Sequence, residues 1–141
     1  LAVENASSGG RPFGALLVHD GDVVGEGVNR YVAENDPTAH AEMVAIRAAS
    51  RSLSTPRLDG AVLVASTEPC PMCQAAALLA GVARVLFATT DRQAAERGYD
   101  ARGLLADLRR PLAERRLMEI QHVVVEGEAA PFDVARSTAR H

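Results

Sequence analysis

His40, Glu42, Cys70 and Cys73 are the residues of this chain whose types and spacing can do chemistry. The cysteines are the only two in the sequence and share one tetrapeptide, Cys70-Pro71-Met72-Cys73. So close a pair is a poor staple for a domain, and no secretory signal accompanies it. Metal ligation, a redox dithiol or chance remain. His40 adds an imidazole nitrogen to the sulfurs, a donor set that suits zinc, and a catalytic zinc keeps three protein ligands with water as the fourth. Glu42, two residues after His40, points away from the ligand direction yet stays close enough to exchange protons with an activated water. A structural zinc would want a fourth ligand, and His19, His122 and His141 lie in no paired motif. A thioredoxin-like dithiol needs no upstream His-x-Glu, and prolines on both sides of Cys70 are unusual for it.

Both halves of this constellation sit where a helix begins. Asn35-Asp36-Pro37-Thr38 is punctuation, with Asp36 or Thr38 as the cap of a helix starting near residue 38 or 39. Met43, Ile46, Ala49 and Leu53 then recur at helical spacing, which carries the helix to about Ser52. Ala61–Ala65 reads as a short buried strand, followed by Glu68-Pro69-Cys70-Pro71 and an Ala/Leu helix over Met72–Ala80 that Gly81 ends. Helix N-termini expose unpaired N–H groups and partial positive charge, which favour thiolate and metal binding.

The remaining elements must build the platform. Phe13–His19 and the run through Val23 and Val24 make a hairpin around Asp20-Gly21-Asp22. Arg84–Ala88 is a further strand, residues 91–110 hold short helical turns, and Leu112–Met118 reads as helical. Gln121–Glu126 is a β-branched strand and Phe132–Arg140 a terminal helix. The order β-β-α-β-α-β-α-β-α implies an α/β fold, one mixed sheet with helices on both faces.

Composition bounds the whole. At 141 residues the chain is one domain, residues 1–141. With 48% hydrophobic and 23% charged residues it can bury a core. Only 4% are aromatic and Trp is absent, so that core rests on Ala, Val and Leu. No apolar run approaches the roughly 20 residues of a membrane span. Leu1–Gly10 has no basic or apolar region of a signal peptide, and the start at Leu1 without Met leaves room for a preceding segment. Ligand thiolates and no export signal make cytoplasm the expected compartment. The net charge is −3 and every basic residue is Arg. That balance lacks the electrostatic footprint of a polynucleotide binder, so nucleic acid is not an expected partner.

Taken together, His40-Ala41-Glu42 and Pro69-Cys70-Pro71-Met72-Cys73 form the H-x-E … P-C-x-x-C arrangement of zinc deaminases, whose Glu is an acid/base and not a ligand. The chain resembles the cytidine deaminase-like zinc hydrolases. Within them it is most similar to the bacterial guanine deaminases and related nucleobase or nucleoside deaminases, with the tRNA adenosine deaminases as the neighbouring branch. The matching segments are Pro12-Phe13-Gly14-Ala15, Gly25–Asn29, Asn35–Glu42, Thr67–Cys73 and Ala94–Asp100.

The resemblance implies a three-layer α/β/α sandwich around a five-stranded mixed sheet, a homodimer or larger oligomer, and Zn2+ held by His40, Cys70 and Cys73. Glu42 would shuttle protons. Asn29 would hydrogen-bond the base, Phe13 would pack on it, and the Ala41 N–H would face a base carbonyl. Where the guanine branch has an acidic pair after its Gly-aromatic, this chain has Asp100 and then Ala101. Its tail, Ser137–His141, has no counterpart of that branch's C-terminal aromatic. The expected activity is hydrolytic deamination of a small aminated base or nucleoside. A guanine-type purine is favoured, with a cytosine-type base or a triazine as other substrates. Adenosine-to-inosine conversion in tRNA is the alternative.

Overall fold

The computed structural model describes residues 1–138. A short helix α1 (Ala2–Ser7) precedes the hairpin β1 (Gly14–His19) and β2 (Asp22–Val28). Then come α2 (Ala41–Ser52), β3 (Val62–Thr67), α3 (Pro71–Ala80), β4 (Arg84–Thr89), α4 (Asp91–Ala95) and α5 (Arg102–Leu108). A 3₁₀ turn at Leu112–Glu114 and α6 (Ala130–Thr138) follow. The chain falls into a unit over Leu1–Leu105 and a second from Ala106 onward. Among the described residues no helix is long and apolar enough to cross a membrane.

The first unit holds a mixed four-stranded sheet in the order β2-β1-β3-β4. β1 runs antiparallel to both β2 and β3, while β3 and β4 are parallel and joined by the α3 crossover. Register places Ala15, Leu17, Gly25, Gly27, Leu63 and Ala65 on one face. Against that face pack Ala41, Ala45 and Ala49 of α2 with Ala77 and Ala80 of α3, which together make the core. Small residues on both sides bring helix and sheet close. A Cβ at Gly27 would run into the Ala41 carbonyl, and one at Gly25 would lie 2.5 Å from the Ala45 carbonyl. Glycine at these positions seats the start of α2 directly on the end of β2. The opposite face meets α1 at Gly14. Leu16, Val18, Val62 and Val64 on that face stay only half-buried.

Several expectations change. The hairpin, the buried strand, the Ala/Leu helix and its stop at Gly81 form as read, with boundaries shifted by a residue or two. α1 had no signal in the hydrophobic pattern, because it buries no residue. The fifth strand is the larger difference. Residues 121–125 form no ladder among the described residues, and Val123, Val124 and Val125 stand 65%, 75% and 57% exposed. β-branched side chains favour a strand only where an edge is available to pair with and a surface to pack on. Leu112–Met118 shrinks to the 3₁₀ turn, because the buried Asp107 carboxylate instead accepts the N–H groups of Arg116 at 2.9 Å and Leu117 at 3.2 Å. The terminal helix runs over Ala130–Thr138, and the rest of the expected Phe132–Arg140 span lies outside the described residues.

Candidate metal centre

Asp36 governs how His40 is presented. Its Oδ1 accepts both the Thr38 N–H and the Thr38 hydroxyl at 2.7 Å, closing a turn rather than capping the helix. Arg47 reaches back from α2 to the Thr38 Oγ1 at 3.1 Å, and the Arg30 N–H holds the Ala39 carbonyl at 2.8 Å. The helix therefore starts later than the sequence suggests. His40 itself becomes the N-cap, in extended conformation (φ −70°, ψ 156°), and its ring caps nothing. Cys70 is the N-cap of α3 in the same conformation (φ −66°, ψ 166°), with Pro71 behind it. The Gln74 side chain pins the Pro69 carbonyl at 2.7 Å. Two helix starts thus offer one ligand each in place of a capping side chain, and Cys73 adds its Sγ from the first turn of α3.

These side chains converge. Cys70 Sγ lies 3.5 Å from His40 Nδ1, Cys73 Sγ lies 3.7 Å from it, and the two sulfurs are 3.6 Å apart. Tetrahedral zinc, with bonds of about 2.3 Å to sulfur and about 2.0–2.1 Å to nitrogen, separates its ligand atoms by about 3.6–3.8 Å. The triangle fits that ion without rearrangement, and Nδ1 rather than Nε2 is the imidazole donor. Among the described residues this is the one group of three His, Cys or carboxylate side chains so placed.

Glu42 stands just beside the triangle, buried, with Oε2 3.5 Å from Cys73 Sγ. Burial pushes its carboxyl above the usual range, partly countered by hydrogen bonds from its own backbone N–H and from Cys73. The Cys70 thiol is pulled down to about 4 by its hydrogen bonds with Cys73 and His40. Cys73 moves upward, first through the Cys70 thiolate and then through burial. His40 is raised, chiefly by Cys70. Cysteine and histidine bind a cation only in their deprotonated forms, so protons leave this triangle as the metal enters.

The remaining candidates divide. Asn29 is 6% exposed at the end of β2. Its N–H donates to the Phe13 carbonyl at 3.0 Å, and its Oδ1 accepts the Tyr31 N–H at 3.2 Å. A backbone N–H can only donate, which fixes the amide orientation and leaves Nδ2 as the side chain's outward group. Phe13 is half-buried against the core, and its ring meets Tyr99 edge-on at 5.1 Å between centroids. Ala41 is fully buried at the first position of α2, where its N–H has no acceptor within the helix. Asp100 is exposed and engaged elsewhere: Arg102 binds it through Nε at 2.8 Å and Nη2 at 2.6 Å, holding its carboxyl well below the usual range. Sequence reasoning passed over Arg11, which stacks on Tyr31 with its guanidinium carbon 4.2 Å from the ring centroid, and over Asn5.

Residues 1–89 match the model of the cytidine and deoxycytidylate deaminase zinc-binding region. The chain is 40% identical over 140 residues to guanine deaminase of Bacillus subtilis, covering 99% of this chain and 89% of that protein. The solved structure of a Bacillus subtilis guanine deaminase superposes with a TM-score of 0.91 at 39% identity, covering 97% of this chain and 87% of that one. A tRNA-specific adenosine deaminase of Aquifex aeolicus is 40% identical over 82 residues, 58% of this chain and 54% of that protein. A protein solved in complex with 2,6-diaminopurine superposes with a TM-score of 0.67 at 31% identity, over 70% of this chain and 56% of that one. The chain therefore belongs to the cytidine and deoxycytidylate deaminase family, and is a zinc-dependent hydrolytic deaminase.

Proposed function

We propose that the substrate is a free aminated purine, guanine first among them, and that the whole chain acts as one deaminase domain. The observation that carries this is the reach of the similarity. The match to guanine deaminase runs through 99% of the chain, well past the zinc-binding region, whereas the match to the tRNA-specific enzyme stops at 58%. A net charge of −3 adds no phosphate-tracking surface.

In this reading His40, Cys70 and Cys73 hold the zinc, which supplies Lewis-acid activation of water at neutral pH. Glu42 takes a proton from the attacking water and passes protons to the ring nitrogen and the departing amine. One C–O bond forms, the C–N bond breaks, and ammonia leaves with a carbonyl in its place. Burial keeps bulk water from competing for these protons. Asn29 and Phe13 hold the ring, the Ala41 N–H faces a base carbonyl, and Asp100 reaches the base on release from Arg102. With Asn29 Oδ1 held by the Tyr31 N–H, Nδ2 is the group turned to the base, and its partner there is an acceptor such as a carbonyl oxygen or an unprotonated ring nitrogen.

Ammonia release from a panel of bases, nucleosides and triazines tests this, with wild type and Asn29→Asp side by side. Asp keeps an acceptor for Tyr31 and replaces the donor. We expect guanine to be the best substrate, and kcat/KM to fall about 5- to 150-fold in the variant at unchanged zinc content. Faster inosine formation in a tRNA anticodon stem-loop than release from any small substrate would overturn the reading. Full activity of Asn29→Asp would place base recognition elsewhere.

The enzyme is proposed to work as a cytoplasmic homodimer. Among the described residues the β4 edge of the sheet is unpaired, with Leu86 48% and Phe87 45% exposed beside Leu78 and Leu79 of α3. A groove of about 350 Å³ lined by Leu78, Val82, Val85 and Phe87 runs along it. Parallel strands are ordinarily covered on both faces, and a second copy supplies that cover. The fifth strand of this reading is assigned to Gln121–Glu126, the run with the β-branched chemistry for one. Sedimentation as a monomer at micromolar concentration would exclude this assembly.

A further inference from the structure

We propose that Asn5 of α1 is a positioning residue for base recognition, its amide tying together the two strand-end loops that carry Phe13 and Asn29. The inference rests on the reading above, since it needs Asn29 to hold the base. Asn5 Nδ2 donates to the Arg11 carbonyl at 2.7 Å and to the Asn29 carbonyl at 3.1 Å. One amide nitrogen has two hydrogens to give, and both go to this junction. Arg11 stands two residues before Phe13, and its carbonyl also accepts the Phe13 N–H at 2.8 Å.

Asn29 is therefore fixed at its N–H by Phe13, at its carbonyl by Asn5 and at its Oδ1 by Tyr31, with Nδ2 left over. The Arg11 guanidinium stacked on Tyr31 clasps the same two loops from outside. This is a tie and not packing. α1 buries none of its residues, so its apolar contribution to the core is small. The seat for the amide is built from the other side as well. The Gly10 N–H donates to the Asn5 carbonyl at 2.8 Å, and a Cβ at Gly10 would lie 2.7 Å from the Asn5 amide group. A side chain at residue 10 would push that amide off both carbonyls without touching the core.

The experiment compares Asn5→Ala, Gly10→Ala, Asn29→Ala and the double variant Asn5→Ala/Asn29→Ala in the zinc-loaded full chain, measuring KM, kcat, zinc content and melting temperature. Asn5→Ala is expected to raise KM for the best base about 3- to 10-fold, the worth of one misplaced hydrogen bond, with kcat and zinc content unchanged. Gly10→Ala should reproduce the effect, and it carries the test should Asn5→Ala fold poorly. In the Asn29→Ala background the Asn5 substitution should change KM by less than about twofold, because the side chain it positions is gone. Effects that multiply in the double variant would make Asn5 merely structural and overturn the proposal. Unchanged KM in both Asn5→Ala and Gly10→Ala, with Asn29→Ala impaired, would overturn it while leaving the role of Asn29 intact. An unimpaired Asn29→Ala would overturn both.

Discussion

Glu42→Ala is expected to keep its zinc and its fold and to lose turnover by about 10²- to 10⁴-fold, the usual worth of a positioned acid/base. Glu42 is buried, stands beside the ligand triangle with Oε2 3.5 Å from Cys73 Sγ, and contributes no atom to the triangle itself. Removing it should leave metal content untouched. It should not weaken the fold either: an ionised carboxylate carries a desolvation cost, and the alanine that replaces it carries none. Glu42→Gln separates proton transfer from shape. It keeps the size and one acceptor oxygen, so a loss as deep as that of alanine assigns the deficit to the missing proton shuttle. Steady-state ammonia release, metal analysis and a melting curve check all three points. Activity within a few-fold of wild type would remove Glu42 from the chemistry.

The reactive centre was legible because its residues are tied to local structure. His40 and Cys70 each stand at a helix start, and helix starts are announced by Asp-Pro, Pro-Cys-Pro and the change to helical spacing. Even so, the sequence placed the first cap at Asp36 or Thr38, two to four residues before His40. It does not reveal that the Asp36 carboxylate is taken by Thr38, so that α2 begins only at Ala41 with His40 as its extended N-cap. The ring-holding side was far less legible. Asn5 meets Asn29 across 24 residues and through backbone carbonyls, which every residue type possesses. Phe13 meets Tyr99 across most of the first unit. No periodicity records such contacts. The run Gln121–Glu126 forms no ladder among the described residues for a related reason: composition registers β-branched side chains, but not which strand the fold brings beside them.

Loss of the metal should be the most damaging change of all, because the ion ties the starts of two helices together through three ligands at once. His40 arrives on α2, and Cys70 and Cys73 on α3, from segments 30 residues apart in sequence. Cys73→Ser should abolish stoichiometric zinc, since a serine hydroxyl does not ionise at neutral pH and cannot replace a thiolate. Turnover should fall below detection, deeper than in Glu42→Ala, because the water then has nothing to activate it. Stability should fall with it. An ion that binds only the folded state at about a thousand times its dissociation constant contributes roughly 4 kcal/mol, so the melting temperature should drop on the order of 10 °C. Chelation of the wild type should produce the same drop and the same inactivity, both reversed by zinc, with protons released as the metal returns and Cys73 gives up its own. His40→Ala should match Cys73→Ser in all three measurements. A Cys73→Ser protein that still carries one zinc per chain, or that melts with the wild type and turns over within a few-fold of it, would show that this triangle does not hold the catalytic metal.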